Sequence, residues 1–433
     1  MMLSLVIFGT LIFLIGFTRF PLGLAMLVTG AAGISVLHPR GISAALAVSE
    51  QQVMNLAFNY QFSVLPLFIL MGVFIVRAGM ANDLFTMAKR WMGHLPGGVG
   101  VATIVACGGF AAMCASSAAA AATMAKIAIP ELEKAKYNPG FAAGSVAAGG
   151  TMGILIPPSG ALIIYGLLTE TSVGELFVAG IIPGLLQVLV YVVVMILVAR
   201  FLPHWAPKGP SYTMAERVQS IGPIWGVVVL FLLIMVGLSR GWFTATEAGG
   251  IGAGGAFLFV VIRRKLTWEV FTSSLIETAR ISTMIFIVAA GAMVLNQFIN
   301  LSGISGRAIE FIQSLNMAPM MVVLMLVLFY LMLGCLMDGF AMIFLTVPII
   351  APIIAGLGYD LVWWAIVTVV VVEISMITPP VGLNVFVLRA MLPKVPVMQI
   401  FKGVTPFIIS DFLRVALILT FPALALWLPA FVK

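Results

Sequence analysis

Long apolar runs, interrupted at a few definite places, dominate the hydrophobic pattern of this chain. Runs such as Leu176–Ala199, Ile221–Leu238 and Ile281–Ile299 have about the 20 residues that a helix needs to cross roughly 30 Å of hydrocarbon. The short apolar/polar alternation of a transmembrane barrel is absent from the sequence. The pattern therefore predicts an all-α, polytopic membrane protein.

The N-terminal part predicts three spans and one helix at the membrane surface. The spans fall near Ser4–Thr18, Pro21–Val36 and Met54–Val76, and the amphipathic stretch at Asn82–Trp91 follows them. The first apolar stretch lacks a basic segment and a clear cleavage site. We therefore expect it to be a retained span and not a removed signal peptide.

Two later apolar segments, Val99–Pro130 and Met317–Ile354, are too long for a single span and carry glycines and polar residues near their middles. Basic residues flank the first segment at both ends, which places both ends on the cytoplasmic side by the positive-inside rule. The second has almost no charge at its ends, which predicts the opposite side. Both segments are therefore predicted to be re-entrant helical hairpins that enter from opposite faces.

A double proline interrupts two further apolar segments at corresponding places. Pro157-Pro158-Ser159-Gly160 and Pro379-Pro380-Val381-Gly382 are 222 residues apart, from 157 to 379. Proline removes a backbone donor and breaks a helix, and lipid cannot satisfy the freed carbonyls. Such a pair of broken helices in two halves of a chain indicates the binding site of a secondary transporter built as an inverted-topology repeat.

The repeat divides the chain into four segments. Residues 1–92 would form N-terminal scaffold spans and an interfacial helix, and 93–200 the first repeat core with its hairpin and broken helix. Residues 201–280 would supply a linker, scaffold spans and an interfacial helix, and 281–433 the second repeat core with a terminal span. We expect two structural halves and not two independent domains.

Composition agrees with a membrane protein and excludes several other classes. The chain has 433 residues, 62% of them hydrophobic and only 9% charged, against about 25% charged residues in ordinary soluble domains. The net charge of +7 comes from basic residues scattered at span ends, so nucleic acid is not an expected partner. The three cysteines lack the spacing of a metal site or a disulfide framework.

Polar residues in the first repeat are candidates for ion and substrate binding. Ser116 and Ser117 lie near the middle of the first hairpin, and hydroxyls flank freed backbone at the first break. Hydroxyl and carbonyl oxygens suit a hard cation such as Na⁺. The alternative for the serines is tight helix packing through small residues. The alternative for the break is a proline-kinked helix whose freed backbone groups are satisfied by neighbouring helices, hydroxyls or water. The candidates at the break are Gly150, Thr151, Gly153, Pro157, Pro158 and Ser159.

The second repeat carries the denser polar group. Asp338 is the one acidic residue in a long apolar run, so it faces a site, forms a structural ion pair or caps a helix. For Glu373, in the second broken helix, we expect an ion pair with a basic residue of a neighbouring span. The other candidates of this repeat are Gly334, Gly339, Ser375, Thr378, Pro379, Pro380, Gly382 and Asn384.

Taken together, these motifs resemble the large membrane subunit of tripartite ATP-independent periplasmic (TRAP) transporters over nearly the whole chain. The resemblance rests on the glycine-rich hairpin with Ser116-Ser117, on the two diproline motifs, on Pro139-Gly140-Phe141-Ala142-Ala143 and on Asp338-Gly339. Two positions depart from the family pattern. Leu155 stands where many members have proline, and Val371 where many have asparagine.

The resemblance implies an elevator-type, Na⁺-coupled importer in the bacterial inner membrane, without an enzymatic activity or a cofactor. Its partners would be a small four-span membrane subunit and a periplasmic binding protein that delivers a small carboxylate. Ser116 and Gly153 would belong to a first Na⁺ site, and Asp338 and Thr378 to a second. The substrate carboxylate would lie between the two hairpin tips.

Three other functions remain open from the sequence. An inverted-repeat carboxylate/Na⁺ symporter could work without a binding protein, and a passive channel could share the fold. An intramembrane aspartyl protease needs two converging aspartates, and Asp338-Gly339 and Gly358-Tyr359-Asp360 are the candidate motifs for it. Asp360 is predicted in a loop, which argues against the protease.

Overall fold

The computed structural model describes residues 20–114, 116–304, 306–307, 310, 317–334 and 337–432. Within these residues the regular structure is helical throughout, as the sequence predicts. The predicted span Ser4–Thr18 and Cys335 lie outside the described residues. The helices before the middle of the chain are α1 Leu22–Leu37, α2 Ile42–Phe58, α3 Val64–Ala78, α4 Met80–Met92, α5 Gly98–Cys114, α6 Ser117–Lys134, α7 Pro139–Thr151, α8 Gly160–Thr169 and α9 Val173–Phe201.

The second half repeats the hairpin and the broken helix after a group of connecting helices. Six helices of the described chain, counting the turn before α3 with it, are long and apolar enough to cross a membrane. The helices of this half are α10 Met214–Gln219, α11 Trp225–Ser239, α12 Ala245–Ile262, α13 Trp268–Ser302, α14 Pro319–Gly334, α15 Gly339–Gly356, α16 Leu361–Ser375, α17 Leu383–Met391, α18 Val397–Thr420 and α19 Ala423–Val432.

The internal repeat is visible in how the helices start. Asn138 accepts a hydrogen bond from the backbone of Phe141 at the start of α7, and Asp360, 222 residues later, caps α16 in the same way. Ser116 and Asp338 likewise cap the second helix of each hairpin. Short polar side chains at these positions accept from backbone N–H groups that have no partner inside the helix. The sequence register of 222 residues is therefore also a structural register.

Both predicted hairpins and both predicted breaks are present. Helices α5 and α6 form the first hairpin and α14 and α15 the second. The first broken helix runs through α7, a 3₁₀ turn at Met152–Ile154 and α8, and the second through α16 and α17. The diprolyl bonds at both breaks are cis.

The predicted span Met54–Val76 is wrong in its bounds. Helix α2 ends at Phe58, a 3₁₀ turn follows at Tyr60–Ser63, and α3 continues from Val64. The Asn59 side chain accepts a hydrogen bond from the backbone of Gln61 at 3.0 Å, which starts a new helical turn. The third apolar span therefore begins near Tyr60, and the residues before it belong to a separate helix.

The helices form two packed groups, and both breaks lie in the second group. The scaffold bundle comprises α1–α3, α12 and α13, and the repeat bundle comprises α5–α9 and α14–α18. Close approach within each bundle depends on glycine, because a Cβ on Gly403 would lie 2.1 Å from the carbonyl oxygen of Gly140. The division at residue 280 falls inside the continuous helix α13, and the four-segment division remains a prediction.

Candidate functional site

The first hairpin tip lies against the first helix break. A Cβ placed on Gly153 would be only 3.1 Å from the carbonyl oxygen of Ser116, and one on Gly150 would be 2.6 Å from the Cβ of Ala121. Glycine at these positions lets the two backbones approach each other. The tip and the break, predicted as separate candidates, are therefore parts of one region.

The hydroxyl groups in this first region donate hydrogen bonds to backbone carbonyls. The Thr151 hydroxyl donates to the carbonyl of Ala148 at 2.8 Å, and the Ser159 hydroxyl donates to the carbonyl of Ile154. Ser159 also accepts from the backbone of Leu162 and so caps α8. A hydroxyl has two acceptor lone pairs, so these oxygens keep capacity for a further electropositive partner.

The second hairpin tip meets the second broken helix in the corresponding way. A Cβ on Gly334, at the end of α14, would be 2.0 Å from the Ser375 Oγ atom, at the end of α16. The Ser375 hydroxyl donates to Val372 and the Thr378 hydroxyl to Ile374, both at 2.6 Å. Glycine at position 334 is therefore a condition of this contact.

Asp338 caps the helix that leaves the second tip. Its Oδ1 atom accepts from the backbone N–H groups of Phe340 and Ala341 at 3.1 and 3.2 Å. The alternative of a helix cap is thus confirmed, and it uses one carboxylate oxygen. Gly339 next to it packs close to Val372, where a Cβ would lie 2.7 Å from a side-chain methyl.

The two repeats are joined by the Asn384 side chain. Its amide nitrogen donates to the hydroxyl of Ser117 at 2.7 Å and to the carbonyl of Ala147 at 3.2 Å. Asn384 and Ser117 are both buried. A residue of the second break thereby holds the first hairpin, and the structure brings together candidates that are 267 residues apart in sequence.

The two breaks differ in exposure. Pro157, Pro158 and Ser159 are buried, whereas Pro379 and Pro380 are exposed. Gly382, after the second diproline, has φ of +59°, a left-handed conformation that favours glycine. The sequence symmetry is therefore not reproduced in the surroundings of the two breaks.

Helix ends give the region its electrostatic character. Helices α5 and α7 end beside the first tip and break, and α14 and α16 end beside the second. The C-terminal ends of helices carry unpaired carbonyls and partial negative charge, which attract cations. The starts of α6, α8, α15 and α17 lie at the same tips and breaks and favour anions. The arrangement can accept both a hard cation and a carboxylate.

A buried ion-pair network lies behind the second break. The expected partner of Glu373 is Arg414 of α18, at 2.8 Å, and Arg414 also contacts Asp411 at 3.1 Å. The Tyr191 hydroxyl donates to Asp411 at 2.6 Å. All four side chains are fully buried. The expected ion pair of Glu373 is therefore confirmed.

The sequence analysis did not single out Arg414, Asp411, Tyr191 or Gln187. Gln187 of α9 donates to the Thr151 hydroxyl at 3.2 Å and so contacts the first break. A spacing of three between Asp411 and Arg414 in an apolar span was the available signal, because such a pair shares one helix face. The partners from α9 and α16 could not be read from local sequence.

The other residues noted in the sequence are buried in the packed interior. Cys107 and Cys114 are free and buried, in agreement with packing roles. Leu155 and Val371, the two departures from the family pattern, are buried among apolar residues. The described residues contain no group of three or more His, Cys, Asp or Glu side chains that could hold a metal.

The fold and the two broken helices define a multi-pass membrane transport protein. A family model, Tripartite ATP-independent periplasmic transporter, DctM component, matches residues 8–424. The chain therefore belongs to the family of large permease subunits of TRAP transporters, proteins of the bacterial inner membrane. It is a transporter subunit and not an enzyme, which excludes the protease alternative.

Curated relatives extend over nearly the whole chain. The C4-dicarboxylate TRAP transporter large permease DctM of Pseudomonas aeruginosa is 34% identical over 90% of this chain and 93% of its own length. The sialic acid TRAP transporter large permease SiaM of Vibrio cholerae is 28% identical, covering 95% of both. The 2,3-diketo-L-gulonate TRAP transporter large permease YiaN of Escherichia coli is 27% identical, covering 90% of both.

Solved structures show the same fold at low sequence identity. The YdaH transporter of Alcanivorax borkumensis has a TM-score of 0.64 at 13% identity and covers 97% of this chain and 98% of its own. MtrF of Neisseria gonorrhoeae has a TM-score of 0.61 at 12% identity, with coverage of 95% and 97%. These similarities support the predicted membrane fold.

Proposed function

We propose that this chain is the permease of a Na⁺-coupled, binding-protein-dependent importer of a small carboxylate, and that it works by an elevator movement. The observation that carries the proposal is the pairing of each hairpin tip with a helix break, at Ser116 with Gly153 and at Gly334 with Ser375. Each pairing combines helix C-termini with hydroxyl oxygens. Such oxygen-rich ends are suited to Na⁺.

The proposed substrate is an anion because helix starts, with their partial positive charge, lie at the same tips. The substrates named for two relatives also support a carboxylate: C4-dicarboxylates for DctM and sialic acid for SiaM. The repeat bundle, which carries both breaks, would move against the scaffold bundle. The proposed partners are a small membrane subunit, of the expected four spans, and a periplasmic binding protein.

The proposal is tested by uptake into proteoliposomes that contain this chain and its small subunit. Labelled C4-dicarboxylates and sialic acid are supplied with the binding protein, under an inward Na⁺ gradient. We expect accumulation that falls to background when choline replaces Na⁺ or when the binding protein is omitted. Accumulation without the binding protein would favour a two-component symporter, and equilibration without accumulation would favour a channel.

Asp338→Asn is expected to raise the Na⁺ concentration for half-maximal uptake about tenfold, because it removes the charge and keeps an oxygen that can cap α15. Asn and Asp are nearly equal as caps, so the free energy of unfolding should change by less than about 0.5 kcal/mol. The measurements are Na⁺ titration of uptake and thermal unfolding in detergent.

Asp360→Asn is the matched control for this prediction, since Asp360 caps α16 with the same geometry at a place without a hairpin tip. It should leave the Na⁺ dependence unchanged. If Asp338→Asn behaves like Asp360→Asn and only Asp338→Ala impairs uptake, Asp338 is a cap and does not contribute to an ion site.

A further inference from the structure

A cavity of about 210 Å³ lies between the scaffold bundle and the first hairpin. One wall is formed by α6 and the hairpin tip, and the other by α3 and α13. It reaches from Ser116 at the tip to Arg77 in the last turn of α3, on the predicted cytoplasmic side. The cavity thus connects the candidate site to the end of the scaffold.

One face of the hairpin tip and of the first half of α6 lines this cavity. Ser116, Ala119, Thr123 and Lys126 follow one another at intervals of three or four residues, which is the spacing of a single helix face. The rise of about 1.5 Å per residue places Lys126 roughly 15 Å along the helix axis from the tip. Two hydroxyl groups and one ammonium group therefore follow one another from the tip toward the predicted cytoplasmic side.

The charges of the cavity leave Lys126 as the excess cation. Arg77 and Glu277, on the opposite wall, form an ion pair at 3.0 Å and neutralise each other. Lys126 has neither an ion pair nor a hydrogen bond among the described residues. Lys126 is exposed to solvent in this open cavity. An unpaired ammonium there raises the local concentration of anions, and salt screens the effect.

We propose that Lys126, together with Thr123 one helical turn closer to the hairpin tip, forms an anion-binding site. This site would bind the substrate carboxylate on its way between the hairpin tip and the cytoplasm. The proposal rests on the proposed function for the direction of transport and for the carboxylate. Its ligand is a single carboxylate group, which the ammonium binds as a point charge and the hydroxyl as a hydrogen-bond donor.

The local charge is measured with thiol reagents and needs no transport. Thr123→Cys is placed in a full-length chain in which Cys107, Cys114 and Cys335 are replaced by alanine. Two methanethiosulfonate reagents are compared, the anionic ethylsulfonate and the cationic ethyltrimethylammonium. The measured quantity is the ratio of the reaction rate with the anionic reagent to the rate with the cationic reagent. Adding Lys126→Gln is expected to lower this ratio about tenfold, because a charge about 6 Å away acts with opposite sign on the two reagents.

Lys134→Gln on the same helix is the control, because Lys134 is exposed like Lys126 but is paired with Glu131 and does not line the cavity. It should leave the ratio unchanged, and Lys126→Arg should preserve it. A ratio that Lys126→Gln does not change would overturn the proposal. So would an equal change caused by Lys134→Gln, since the effect would then be a general surface potential.

Transport provides the second measurement. Lys126→Gln is expected to lower the maximal rate of carboxylate uptake at least threefold while the Na⁺ concentration for half-maximal uptake stays the same. An unchanged maximal rate would show that the cation does not serve the substrate. The ratio of thiol-reagent rates does not depend on Na⁺ coupling. It therefore still tests the anion-binding site if the uptake assay shows that the chain is not a Na⁺-coupled importer.

Discussion

Arg414→Ala is expected to lower the free energy of unfolding by about 3–5 kcal/mol, the largest stability effect of any single substitution considered for this chain. Arg414 is fully buried between Glu373 and Asp411, and its removal leaves two carboxylates without a cation inside the membrane-embedded core. The measurement is unfolding in mixed micelles followed by tryptophan fluorescence, for which Trp363 and Trp364 on α16 are suitable reporters.

Two further variants separate the loss of charge from the loss of packing. Lys134→Ala removes an exposed ion pair with Glu131 and should change stability by at most about 1 kcal/mol. The combined replacement Arg414→Met, Glu373→Gln and Asp411→Asn removes all formal charges and should recover most of the loss. An Arg414→Ala variant as stable as Lys134→Ala would contradict the assignment of a buried network.

Gly334→Ala is expected to raise the Na⁺ concentration for half-maximal uptake tenfold or more. The added methyl would lie 2.0 Å from the Ser375 Oγ atom and 2.3 Å from its Cβ, so the second hairpin tip must move away from the broken helix. A displaced tip misplaces the carbonyl and hydroxyl oxygens that we propose as ligands. Uptake at a series of Na⁺ concentrations measures the shift.

Gly254→Ala is the matched control, because a methyl on this helical glycine meets nothing within 4 Å. It should leave the Na⁺ dependence unchanged. The double variant Gly334→Ala with Ser375→Gly removes the Ser375 side chain, with which the new methyl would collide. The hairpin tip should then return to its position, but the Ser375 hydroxyl oxygen is missing. Normal Na⁺ dependence of the Gly334→Ala variant itself would show that the tip contact does not position the ion ligands.

The large features of the fold could be predicted because they are written in local sequence. Double prolines break helices wherever they fall, and a 222-residue spacing repeats Asn138 at Asp360 and Ser116 at Asp338. The one wrong span came from a polar position, Asn59, which starts a new turn within an otherwise apolar stretch. Its effect depends on a side-chain hydrogen bond that hydropathy does not report.

The candidate site could be predicted only as a set of residues. Ser117 and Asn384 were both candidates, yet nothing in the sequence indicated that one donates to the other. The sequence also did not indicate that Arg414 pairs with Glu373 of another helix. Contacts between distant helices depend on how the bundle packs, and that information is not local.

The sequence by itself determined the membrane class, the duplication, the two hairpins and the places where the helices break, because hydrophobic length, proline and glycine act within a few residues. Only the tertiary structure decided that Asp338 caps its own helix and that Glu373 pairs with Arg414. It also decided that Lys126 lines a cavity. Charges in a low-dielectric core take partners from whichever helices lie nearest in space, and the packing of the whole chain fixes those neighbours.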